Sequence, residues 1–263
     1  MNRKDVLTGL RFYEMLLAVV ILCLFSACAG LTPEVPSPVI SDEARQMLSM
    51  LHTRNLKLMT FKGIGKATLW EADRRQIIRL AWIGAVPEKL RVSLLNVSGQ
   101  SVGGFSADGE HFYAVSHTEK RLYRVSNSNP ELKKIIRIPI RTRTLIQLLT
   151  GRIPVAAHTV AAVIPAQVGE GRILVLKSRR GRILEQIYLN RDMTTVSKLE
   201  LFDADGDFKF RVRFDRMTSV KNYRIPFKIS VSNEDTRFQL LIDRYWTDMP
   251  ISPDAFVLTD PEK

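Results

Sequence analysis

Phe208-Lys209-Phe210-Arg211-Val212-Arg213-Phe214-Asp215 is the stretch that decides the fold. Phe208, Phe210, Val212 and Phe214 fall on one side of an extended chain, and Lys209, Arg211, Arg213 and Asp215 fall on the other. That period of two belongs to a half-buried strand and not to a helix. Reading outward, the segments 196–202 and 208–214 flank Asp203-Ala204-Asp205-Gly206-Asp207, segments 172–177 and 182–189 flank Ser178-Arg179-Arg180-Gly181, and segments 227–231 and 238–243 flank Asn233-Glu234-Asp235. Each spacer has the composition of a hairpin turn.

The first half of the chain has the same grammar. Met59, Phe61, Gly63, Gly65, Ala67 and Leu69 share one strand face, opposite Lys62, Lys66 and Thr68. Ile78, Leu80 and Trp82 follow in phase, and Leu90, Val92 and Leu94 alternate with Arg91 and Ser93. Strands over 102–106 and 111–116 meet at the turn Ala107-Asp108-Gly109-Glu110, and 121–125 is a further strand. About eleven hairpin-connected strands predict an α+β domain built on an incomplete antiparallel β-barrel.

Two helices interrupt this pattern. Ser41-Asp42-Glu43 places a capping side chain and two acids at a helix start, followed by Ala44, Met47, Leu48 and Leu51 on one stripe. Between the sheet halves, Leu145, Leu148 and Leu149 form an apolar face; Gly151 is suited to the C′ position and Pro154 stops any continuation. Short helices of this kind are expected to close an apolar cavity over the curved sheet.

Before the domain comes a leader. Residues 15–27 read MLLAVVILCLFSA, 13 residues and too short to span a bilayer. They have the length of a signal-peptide core ending in small residues. Phe25-Ser26-Ala27-Cys28 resembles a lipobox, in which the cysteine receives a lipid, with Leu24 one place from the usual leucine position. Residues 1–27 are therefore read as a signal peptide, residues 28–40, with Pro33, Pro36 and Pro38, as a lipidated tether, and 41–263 as the domain. An ordinary signal peptide with Cys28 left as a free thiol is the alternative. Lipoproteins retained in the inner membrane resemble one another in an aspartate after that cysteine; Ala29 stands here and points to the outer membrane.

The formal charge is +12, and residues 120–152 carry nine Lys or Arg against the single acid Glu131. For an exported chain this favours lipid headgroups or acidic protein surfaces over nucleic acid, with a solvated cationic face as the plain alternative. His52, His111, His117 and His158 lack metal-ligand spacing, and there is no nucleophile elbow, phosphate loop or Cys-x-x-Cys. Asp203 to Asp207 has its glycine in the wrong place for a calcium loop. No enzyme activity, metal or cofactor is expected.

Three segments carry a resemblance to a known family. Phe61-Lys62-Gly63-Ile64-Gly65 resembles the opening strand of the LolA/LolB fold superfamily; Leu94-Leu95-Asn96-Val97-Ser98-Gly99 resembles the segment where LolB, its outer-membrane lipoprotein receptor branch, presents an apolar loop; and Ile138-Pro139-Ile140 through Gly151 and Pro154 resembles its leucine helix with a Gly-x-Pro exit. Met249-Pro250-Ile251, Phe256 and Pro261 are similar to the superfamily's closing segment. The resemblance implies a cavity for acyl chains, for which Phe61, Trp82, Leu94, Leu145, Leu148, Leu149 and Phe210 are the candidate lining residues. It also implies Val97 as a membrane-contact tip, an acylated lipoprotein or other lipid as cargo, and a periplasmic LolA-like carrier as partner. A glycolipid carrier and a structural lipoprotein with a filled barrel remain the alternatives.

Overall fold

The computed structural model describes residues 39–167 and 171–259; the leader, Cys28 and the tether up to Pro38 lie outside the described residues. The chain from Pro38 on is one compact unit with its own core and is the natural unit for experiment. The first half contributes β1 (Val39–Ile40), α1 (Asp42–Thr53), β2 (Thr60–Glu71), β3 (Arg74–Ala85), β4 (Lys89–Leu95), β5 (Ser101–Ala107), β6 (His111–Ser116) and β7 (Arg121–Ser126). Two short helices follow, α2 (Lys133–Ile136) and α3 (Thr142–Leu149). The second half contributes β8 (Val160–Pro165), β9 (Gly171–Lys177), β10 (Ile183–Asn190), β11 (Val196–Phe202), β12 (Phe208–Val220), β13 (Tyr223–Ser232) and β14 (Thr236–Thr247), with a 3₁₀ turn at Pro253–Phe256.

All fourteen strands form one open, curled sheet in the order β1-β8-β9-β10-β11-β12-β13-β14-β2-β3-β4-β5-β6-β7. Two meanders, β2–β7 and β8–β14, are joined where β14 pairs antiparallel with β2. Register shifts in β4, β10, β11 and β14 mark bulges, which bend and twist a sheet. The alternation read from the sequence becomes burial: Phe210, Val212 and Phe214 are 3%, 0% and 6% exposed, whereas Arg213 and Asp215 face water.

Among the described residues fourteen strands replace the eleven or twelve expected: the twelve segments named from the sequence, with β1 and β8 added. β1 is two residues long and occupies the end of the stretch read as tether; it pairs parallel with β8. β8 reads Val-Ala-Ala-Val-Ile-Pro, apolar at both parities, so it has no alternation to detect. β12 also runs on to Val220, through mostly exposed residues where the alternation fades.

On the concave side, α1 packs Ala44, Met47 and Leu51 inward, and Ser41 Oγ accepts the Ala44 N–H at 3.2 Å as the N-cap. α3 buries Ile146, Leu148 and Leu149. Its exit is tied to α1 through Asn55, whose side-chain amide donates to the Thr150 and Arg224 carbonyls at 2.8 Å each. Arg152 caps the same corner by donating to the carbonyls of Asn55, Leu56 and Leu58. Gly151 sits there at φ +68°, where a Cβ would lie 2.3 Å from the Arg224 carbonyl oxygen, so only glycine fits.

Candidate functional site

Between the concave face of β2–β5 and β14 and the two short helices lies an apolar cavity of about 320 Å³. Its walls include Leu80, Trp82, Val92, Leu94, Phe105 and Leu240, with Ile135, Ile136, Leu145 and Leu149 as the roof and Gln76 as a polar exception. Ile77, which is 52% exposed, borders it. The volume falls at the low end of ligand pockets, roughly 300–1,000 Å³. A lining of this kind favours apolar guests.

Glycines of β2 and β3 shape this part of the sheet. Gly63 lies opposite Trp82, and Gly84 opposite Phe61. A Cβ on Gly63 would sit 2.2 Å from the Trp82 ring, and one on Gly84 2.2 Å from the Phe61 ring. Each ring therefore lies flat over a bare backbone across the strand pair. Phe61 stacks on Tyr245 at 6.1 Å, and the Tyr245 hydroxyl donates to the Leu149 carbonyl at 2.9 Å, pinning α3 to the sheet. Burial pushes the Tyr245 hydroxyl pKa up, so it remains a donor.

Of the seven side chains considered for the cavity, Trp82, Leu94, Leu145 and Leu149 line it. Phe61, Leu148 and Phe210 are instead packed into the solid core, at 0%, 0% and 3% exposure. Their parity was legible, but one strand's parity gives a face and not a position along it. Helix α2, which supplies Ile135 and Ile136, was missed because four residues are too few to show a helical period.

Val97 stands apart from all of these. It is 97% exposed at the tip of the β4–β5 hairpin. The turn is closed by Asn96, whose Oδ1 accepts the Gln100 N–H and the Ser98 hydroxyl at 2.9 Å each, leaving Val97 no surface to fold onto. The segment Asp203 to Asp207 forms the β11–β12 turn; the Asp203 carboxylate accepts the N–H groups of Asp205 and Asp207 at 2.9 Å. The residues of the basic run are distributed: Arg137 meets Glu71, Arg143 meets Glu88, and Arg152 is spent on backbone carbonyls.

Glu185 is a buried carboxyl that the sequence does not announce. It points inward from β10, fully buried beside Ile187 and Leu189. One oxygen accepts the Ala156 N–H at 2.7 Å, and the other has no partner among the described residues. Burial pushes its pKa up to about 8.

Neither a family model nor a curated protein matches the sequence. Solved structures do match in shape. A LolA superfamily protein from Nitrosomonas europaea is 11% identical, with 82% of this chain and 97% of that chain covered, at a TM-score of 0.54. A domain described as an outer membrane lipoprotein-sorting protein, from Vibrio parahaemolyticus, is 10% identical over 80% of this chain and 94% of that one, at 0.56. A DUF1329 family protein from Desulfovibrio piger is 8% identical over 84% and 98%, at 0.58. The chain has the LolA/LolB fold.

Proposed function

We propose that this half-barrel is an exported, membrane-anchored binding protein that shelters acyl chains and assists the transfer of lipoproteins or another lipid to the outer membrane. The observation that carries the reading is the apolar 320 Å³ cavity roofed by α2 and α3, in a fold shared with a domain described as lipoprotein-sorting. An acyl chain gains ~0.8 kcal/mol per CH₂ withdrawn from water. A small cavity holds part of a chain and still lets it leave.

A fluorescent fatty acid titrated into residues 38–263 is expected to saturate and to be displaced by a lipopeptide. Leu145→Trp, which adds an indole to the roof, is expected to weaken binding about tenfold or more while the protein stays folded. Absence of saturable binding would replace this reading with that of a structural lipoprotein whose barrel merely fills itself. Displacement by glycolipid and not by lipopeptide would make the protein a carrier of that amphiphile.

In the same proposal, Cys28 is the lipid-bearing residue, Ala29 directs the protein to the outer membrane, a periplasmic LolA-like carrier hands over cargo, and Val97 touches the bilayer during delivery. A single valine contributes only ~1–2 kcal/mol when fully buried, so it assists a domain already held close. Two variants separate these roles. Cys28→Ser is expected to remove the acyl mass and release the protein from membranes. Val97→Glu is expected to leave attachment and melting temperature unchanged yet stop transfer into liposomes. Membrane fractionation unchanged by the first, or transfer unimpaired by the second, would discard the corresponding role.

A further inference from the structure

The register of the sheet collects cations that are far apart in sequence onto one convex face. Lys66 on β2 lies directly opposite Arg79 on β3, and Trp70 lies between Arg75 on β3 and Arg237 on β14. Both guanidinium groups rest over the Trp70 indole, at 5.8 and 5.1 Å from its centroid. Arg213 on β12 extends the face through Ser230 and Gln239. These five cations are exposed, and among the described residues none is in an ion pair. Of the carboxylates on the outer side, Glu200 is held by Lys198 and Arg211, and Asp215 by Lys228; Asp243 sits at the β14 bulge. Glu71, Asp73, Glu234 and Asp235 stand at the strand ends and turns.

Like charges placed directly across a strand pair repel, so Lys66 facing Arg79 is a standing cost to the folded protein. A surface of opposite charge offsets it. The face is also not purely cationic: Ile77, at 52% exposure, belongs to the same pair of strands, and Val97 projects just beyond Leu95, the residue opposite Arg79. Cations around an indole with aliphatic side chains at the margin match a bilayer interface, where basic groups meet anionic headgroups and tryptophan lies at headgroup level. Nucleic acid would find no use for the exposed isoleucine and valine.

We propose that the convex face centred on Trp70, with Lys66, Arg75, Arg79, Arg213 and Arg237, docks onto an anionic phospholipid surface. It sets the orientation in which the domain meets the membrane and goes beyond the cavity reading, since it holds whatever the cavity contains. Residues 38–263, which lack the lipid anchor, are to be sedimented with vesicles of phosphatidylcholine alone and of phosphatidylcholine with about one quarter phosphatidylglycerol. Binding is expected to the anionic vesicles only and to vanish at high salt. Each basic residue near such a surface accounts for about a fivefold change in partition, so Lys66→Gln with Arg79→Gln and Arg237→Gln is expected to weaken binding about a hundredfold. The same triple variant is expected to bind the fatty-acid probe as the parent does, which separates failure of this proposal from failure of the cavity reading. Arg121→Gln with Arg124→Gln, on the far edge strand β7, is expected to leave vesicle binding unchanged. Equal partition onto neutral and anionic vesicles, an undiminished triple variant, or binding to an oligonucleotide without binding to anionic vesicles would each overturn the proposal.

Discussion

Leu148→Ala is expected to destabilise the protein by about 3–5 kcal/mol, while Leu145→Ala, three residues away on the same helix, costs about 1 kcal/mol or less. Leu148 is fully buried, so its removal leaves a void in packed core. Leu145 is partly exposed and already borders the cavity, so shortening it enlarges a space that exists. Denaturant unfolding of both variants measures the difference. Equal losses would mean that the cavity is closed by packing in solution and that the two leucines share one environment.

Glu185 makes stability fall as pH rises through the mildly acidic and neutral range. Its pKa is pushed up from 4.5 to about 8 by burial, with the Ala156 N–H pulling weakly the other way. Between those values the folded protein keeps a proton that the unfolded chain releases. The stabilisation is therefore fully present below about pH 4.5 and is lost as pH climbs towards 8. The loss is on the order of 4–5 kcal/mol across the window, at about 1.4 kcal/mol per pH unit. Glu185→Gln keeps an acceptor for Ala156 and cannot ionise, so its stability is expected to follow a flatter course, with the advantage over the parent greatest at pH 8. Urea unfolding of both proteins at pH 4.5, 6 and 8 isolates the effect, because every other titrating group is common to the two. Parallel pH profiles would show that the carboxyl reaches water.

Much of this fold was legible because a strand with one wet face writes its period into the sequence. Phe208 to Asp215 and Phe61 to Leu69 could be read residue by residue, as could the Ser41 cap and the helix ending at Gly151. What escaped had no period to write. β8 is apolar at both parities, β1 is two residues long, and α2 is a single turn. Glu185 escaped for a different reason: in sequence it is one more charged residue in a strand, and only the chain around Ala156, brought across from before β8, closes it off.

The sequence by itself determined which side of the alternating strands meets water, where the turns fall, and that Val97 belongs to a turn. Those properties are local, fixed by the alternation of side chains along a single extended chain. The tertiary structure decided which inward residues border a cavity and which fill the core, separating Trp82, Leu94, Leu145 and Leu149 from Phe61, Leu148 and Phe210. It also decided that cations from β2, β3, β12 and β14 form one face. Both outcomes depend on register and curvature, which arise from pairing between segments far apart in sequence, as the Trp70–Arg237 pair shows.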